Sequence, residues 1–161
     1  MSTRVIVGRE RITVLLSMVN ADVAVLAWAA DGDHNGQLSA GEFTMASDSL
    51  TSAVAARFLL TNNSTPLEPS VTKAQVASTD PLTSQPHEIS VTLLYTLPDE
   101  KRFEKLFLNP NLFRDIPGQP LAYQTPPQGS QTNQVTVFDC DAVTFETSGT
   151  RTYETVVGKC E

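Results

Sequence analysis

Residues 31–42 read Asp-Gly-Asp-His-Asn-Gly-Gln-Leu-Ser-Ala-Gly-Glu. Oxygen-bearing side chains alternate at Asp31, Asp33 and Asn35, and a further carboxylate, Glu42, closes the run. Such a spacing suits a hard divalent cation. Calcium takes six to eight oxygens at roughly 2.3–2.6 Å in a loose geometry, so its donors must reach it from every side. In a loop of about twelve residues, positions 1, 3 and 5 offer side-chain oxygens and position 7 a backbone carbonyl; position 9 often acts through water, and position 12 clamps the ion with both carboxylate oxygens. Those places fall here on Asp31, Asp33, Asn35, Gln37, Ser39 and Glu42.

The run matches the EF-hand calcium pattern D-x-[DN]-x-[DN]-G-x5-E at each specified place. Gly36 stands where the backbone must turn sharply and a Cβ would oppose the turn. Leu38 is expected to point inward and anchor the loop to the hydrophobic body. His34 falls at a position that faces solvent. Calcium is the expected ion, because magnesium demands a tighter octahedron. Lanthanides are expected to bind in vitro by the same hard-oxygen logic. Three carboxylates in an extracellular-style module imply a weak site, roughly 10⁻⁴ to 10⁻³ M. Two features depart from the usual pattern. Ala27 and Ala30 stand where incoming helices of this type usually carry aromatics, with Trp28 between them. No second loop accompanies the first, since Asp139-Cys140-Asp141 lacks the following glycine and a placed glutamate. A sensor-like opening is therefore not expected; without an ion, the run would be simply a well-capped helix–helix turn.

The flanking elements must aim these groups. Asn20 is a candidate helix N-cap, followed by a short apolar helix through Val23, Leu26, Ala27 and Ala30. After a loop at 31–38, Ser39 and Glu42 have the spacing of a capping box, in which each side chain satisfies the other's backbone N–H. Phe43, Ala46, Leu50, Ala53, Val54 and Phe58 then recur at helical steps, while Gly41 weakens the first turn. Before this unit, Val5–Val7 and the alternating Ile12, Val14, Leu16 and Met18 read as two strands joined by a Gly8-Arg9 turn. After it, Phe58–Leu60, a turn at 62–66, and Leu67–Val76 read as strand, turn, strand. Ser78–Pro86 reads as an exposed loop. Ile89, Val91, Leu93 and Tyr95 form a further alternating strand. Phe103–Leu108 and Val135–Val137 are further strand candidates, with weaker ones at Val143–Thr147 and Tyr153–Val157. The run 116–133 is rich in Pro, Gly and Gln and reads as loop. The expected class is α+β: an antiparallel sheet or sandwich body carrying an inserted helix–EF-hand loop–helix unit. The chain is expected to form a single domain over 1–161, with the insertion at about 20–58.

Composition narrows the function classes. The 161 residues include 11 Lys+Arg against 18 Asp+Glu, a formal charge of -7. A nucleic-acid binder needs a basic face to displace counterions from phosphates, so no nucleic-acid partner is expected. The apolar runs fall short of the roughly 20 residues that a membrane-spanning helix needs. Met1-Ser2-Thr3 leads at once into Val5-Ile6-Val7, which reads as the edge of a domain within a longer parent. Cys140 and Cys160 are too few for a four-cysteine zinc site; they either close one short loop or remain buried thiols. Neither a nucleophile elbow nor a phosphate-binding glycine loop occurs, and no enzyme is expected. His34 and His87 have no spacing that requires a transition metal. Asp99, Glu100, Lys101 and Arg102 read as a solvated turn. Phe103, Phe107 and Phe113 read as core rather than as a binding surface.

The order of these features resembles a known family. Leading strands, the single loop Asp31–Glu42, the helix ending in Arg57-Phe58-Leu59-Leu60-Thr61, then Thr65-Pro66-Leu67 and Ile89-Ser90-Val91-Thr92-Leu93-Leu94-Tyr95 are similar to the N-terminal extracytoplasmic domain of HupE/UreJ-type bacterial membrane proteins. These are hydrogenase and urease accessory proteins akin to nickel permeases. The resemblance covers about residues 4–147. It implies a periplasmic or cell-surface location, tethering to a membrane domain of the parent protein, and a setting concerned with cations. It carries over only to the loop ligands Asp31, Asp33, Asn35, Gln37, Ser39 and Glu42. The family's histidine-bearing transmembrane motif has no counterpart in this sequence, and the cysteine pair is not a family feature. The expected function is a non-enzymatic calcium-binding domain whose ion is mainly structural and whose surface serves an unidentified protein partner. The alternatives are a soluble domain that captures metal for a nickel or cation transporter, and an adhesion or interaction module with a vestigial loop.

Overall fold

Alternation in the sequence becomes a sheet with one dry face. In the computed structural model, which describes residues 1–7, 11–62, 65–96, 105–109, 132–137 and 153–156, strand β2 (Arg11–Val19) turns Ile12, Val14, Leu16 and Met18 inward, all essentially inaccessible. β6 (Pro86–Thr96) does the same with Ile89, Val91, Leu93 and Tyr95. The two strands are antiparallel, and the register sets Ile12 opposite Tyr95, Val14 opposite Leu93, Leu16 opposite Val91 and Met18 opposite Ile89. Apolar residues thus meet in cross-strand pairs, the basic stabilising unit of a sheet. A one-residue slip of either strand would move its apolar set to the wrong face.

β1 (Ser2–Val7) pairs antiparallel with β2, and β8 (Thr132–Val137) runs parallel to β1. With β5 (Val71–Thr79) against β6, the order is β5-β6-β2-β1-β8. A second, antiparallel sheet has the order β4-β3-β7-β9. Its strands are β3 (Leu59–Asn62), β4 (Thr65–Leu67), β7 (Lys105–Asn109) and β9 (Tyr153–Val156). Between β2 and β3 lie helix α1 (Asn20–Leu26), a 3-10 turn (Trp28–Ala30) and helix α2 (Ala40–Arg57). α2 packs against β5 and β6, and its Phe43, Ala46, Leu50 and Val54 join the sheet residues in one hydrophobic cluster. The described residues are therefore mixed α+β. No helix among them is long and apolar enough to cross a membrane.

Three expectations need correction. The run Leu67–Val76 is not one strand: β4 ends at Leu67 and β5 begins at Val71, in the other sheet. Pro69 lacks the N–H a ladder needs, and Ser70 donates its N–H to the Leu94 carbonyl at 2.6 Å to start the new pairing. The loop expected over Ser78–Pro86 is shorter than that, confined to 80–85, because β5 continues to Thr79 and β6 starts at Pro86. The first helix stops at Leu26, and Ala30 belongs to the 3-10 turn. The Gly8-Arg9 turn, the Asp99–Arg102 cluster, Phe103, Phe113, Asp139–Asp141, Val143–Thr147, Cys140 and Cys160 lie outside the described residues.

Candidate metal centre

The capping box forms as the spacing requires, and it fixes one wall of the site. Ser39 is the N-cap of α2: its Oγ accepts the Glu42 N–H at 3.3 Å, while Glu42 Oε2 accepts the Ser39 N–H at 2.8 Å. Glu42 is thereby turned back over the loop, where its Oε1 accepts the Gly32 N–H at 2.7 Å. Four loop groups favour the charged carboxylate, first the Ser39 N–H, then the Ser39 hydroxyl and the N–H groups of Gly32 and Asp33. Together they hold Glu42 below its ordinary pKa. A Cβ added at Gly32 would lie 3.4 Å from Glu42 Oε1, an ordinary contact with the end of a flexible side chain.

The opposite wall is the loop's first residue. Asp31 is wholly buried, and its oxygens accept the Asn35 N–H at 3.2 Å and the Gly36 N–H at 2.8 Å. Asp33 Oδ1 also receives the Asn35 N–H at 3.2 Å, and Asn35 Nδ2 donates to Asp33 Oδ2 at 2.8 Å. Asn35 Oδ1 accepts from the Gln37 N–H at 2.8 Å. Gly36 adopts φ +82, the left-handed region where glycine is at no disadvantage. His34, with φ 57, takes the same region at the cost of a Cβ clash.

These bonds draw carboxylate oxygens of Asp31, Asp33 and Glu42 to within 4.8 Å of one another. Asn35 is bonded to both aspartates. Gln37 and Ser39 lie on the same loop; the Ser39 hydroxyl serves as a cap, and the Gln37 side chain is exposed. His34 and His87 are exposed, and the cluster's donors are all oxygens. Three like charges so close repel one another, and a divalent cation among them would relieve the repulsion. The remaining lone pairs of each carboxylate allow such coordination alongside the loop hydrogen bonds.

Leu38 is the loop's inward anchor, fully buried as expected. What holds its backbone is Asn20, and here the N-cap expectation fails. The N-cap of α1 is Val19, with no side-chain capping bond. Asn20 Nδ2 instead donates to the Leu38 and Pro86 carbonyls, each at 2.7 Å, and Oδ1 accepts the Leu38 N–H at 2.7 Å. No local sequence signal marks those partners. A cavity of about 260 Å³ opens beside this clamp, lined by Asn20, Gln37, Asp80, Gln85 and His87 among others.

Comparison with known proteins returns no matching family model, curated protein or solved structure.

Proposed function

We propose that this chain is a non-enzymatic calcium-binding domain in which one EF-hand-like loop between α1 and α2 braces a β-rich body. The observation that carries this reading is the meeting of the loop's first and last carboxylates, Asp31 and Glu42, with Asp33 between them. The ion's role is structural. Calcium held by Asp31 and Glu42 ties the end of the 3-10 turn to the start of α2, and Leu38 carries that rigidity into the core. The ligand set is Asp31, Asp33, Asn35, the Gln37 carbonyl, Ser39 through water, and Glu42. The resemblance to HupE/UreJ-type domains extends the proposal to an extracytoplasmic location beside a membrane domain of the parent protein.

Linkage supplies the test. An ion that binds only the native chain stabilises it by RT ln(1 + [L]/Kd), about 2.7 kcal/mol at a hundredfold excess over Kd. For a domain of this size that is a rise in Tm of roughly 5–10 °C. Melting the EDTA-treated protein with and without calcium at a hundredfold excess over Kd, about 10 mM for a Kd near 10⁻⁴ M, should show that rise, with a smaller one in magnesium. Superimposable melts would leave the loop as a capped turn.

A further inference from the structure

An antiparallel strand pair is built from residues that exchange two hydrogen bonds, each giving an N–H and taking one. Leu38 receives both from one side chain. The Asn20 amide accepts its N–H through Oδ1 and donates to its carbonyl through Nδ2, each at 2.7 Å. The second Nδ2 hydrogen goes to the Pro86 carbonyl at the first residue of β6. Asn20 is 4% exposed and Leu38 is inaccessible, so water cannot easily replace these bonds. The amide orientation is fixed as well, because a flipped amide would set its oxygen against two carbonyls and its NH2 against an N–H.

We infer that Asn20 is a positioning residue for the ion loop: its amide gives the Leu38 backbone the pair of hydrogen bonds that a neighbouring strand would give. It locks the Leu38 backbone to α1 and β6 so that Gln37 and Ser39 are held in register with Asp31 and Glu42. The inference rests on the calcium reading above. Asparagine suits the task because its amide has two donors and an acceptor in one plane. Asn20→Leu keeps the branching of the side chain and strips the buried Leu38 and Pro86 groups of this partner. Asn20→Asp keeps the acceptor and turns the donor into a carboxylate facing two carbonyls.

The experiment measures calcium Kd by calorimetry on the full chain for wild type, Asn20→Leu, Asn20→Asp and Val54→Ala. Val54, fully buried in α2, serves as a control for loss of stability without loss of the clamp. All are measured well below their melting temperatures, with folding checked by circular dichroism. Both Asn20 variants should weaken calcium at least tenfold while Val54→Ala stays within about twofold of wild type. Wild-type binding with equally tight binding by Asn20→Leu overturns the positioning role alone. A wild-type chain that takes up no calcium overturns both it and the calcium reading. Should the Asn20 variants fail to fold, amide exchange in the wild type decides. The Leu38 N–H should be strongly protected and slow further with calcium; exchange as fast as that of exposed loop amides, or unchanged by calcium, overturns the inference.

Discussion

The loop at 31–42 and the turn at 80–85 use the same device to different ends. In each, an aspartate accepts backbone N–H groups a few residues downstream. Asp31 takes those of Asn35 and Gly36, and Asp80 Oδ1 takes those of Leu82 and Thr83 at 2.7 and 3.3 Å. Each bends through a non-glycine residue in the left-handed region, His34 at φ 57 and Ser84 at φ 58. Both reach Asn20, one through Leu38 and the other through Pro86. Asp80, however, only closes a tight connection, whose ends are tied by the Asp80 N–H donating to the Gln85 carbonyl at 2.8 Å. In the loop, a helix start aims Glu42 back at the opening aspartate. A carboxylate that bonds to its own chain makes a turn; convergence of carboxylates from both ends makes a place for a cation.

The contrast is broken most sharply by exchanging charge for amide in the two places. Glu42→Gln should weaken calcium at least a hundredfold, whereas Asp80→Asn should leave Kd within about twofold. Comparable losses in paired calorimetric titrations would mean that the two regions do not differ as described. Next in size, Leu38→Ala removes a fully buried side chain. Such truncations cost about 2–5 kcal/mol, and chemical denaturation should report a loss in that range together with weakened calcium binding.

Acid should act on both regions with the same sign. Glu42 and Asp80 are held below their ordinary pKa values, Glu42 chiefly by the Ser39 N–H and Asp80 chiefly by the Leu82 N–H. Their contributions are therefore present above the ordinary carboxylate range and lost as pH falls through the lowered values. Calcium should shift only the loop's share, so acid-unfolding midpoints should fall when calcium is added and should no longer do so in Glu42→Gln. Asp22 opposes this trend. Burial raises its pKa despite the N-terminal amine at 3.9 Å, so its contribution is held below the ordinary range and lost as pH rises through the raised value. The smallest effect is expected at Gly41. It has no positive φ, and nothing lies within 4 Å of an added Cβ. Gly41→Ala should stabilise α2 by up to about 1 kcal/mol, read as a higher denaturation midpoint with unchanged calcium stoichiometry.

What was legible in the sequence was local. The alternation of Ile12, Val14, Leu16 and Met18, and of Ile89 through Tyr95, depends only on the strand's own period and appears as two buried rows. The Ser39–Glu42 box closes within one turn of helix, and it formed. The conformation at Gly36 was equally readable, since a left-handed turn calls for glycine. The misreadings arose where distant partners decide. Pro69 marks a break within Leu67–Val76, but nothing local says that the two ends join different sheets. Asn20 looked like a cap because Asn caps helices, but its partners stand 18 and 66 residues away. The 3-10 turn at Trp28–Ala30 likewise ends the apolar helix earlier than its periodicity indicates.

The most direct test of the central claim is a calorimetric titration of calcium into the EDTA-stripped chain. The account predicts saturable binding of one ion per chain. Absence of saturable calcium binding at millimolar concentrations, with no change in melting temperature, would contradict it and reduce residues 31–42 to a well-capped turn.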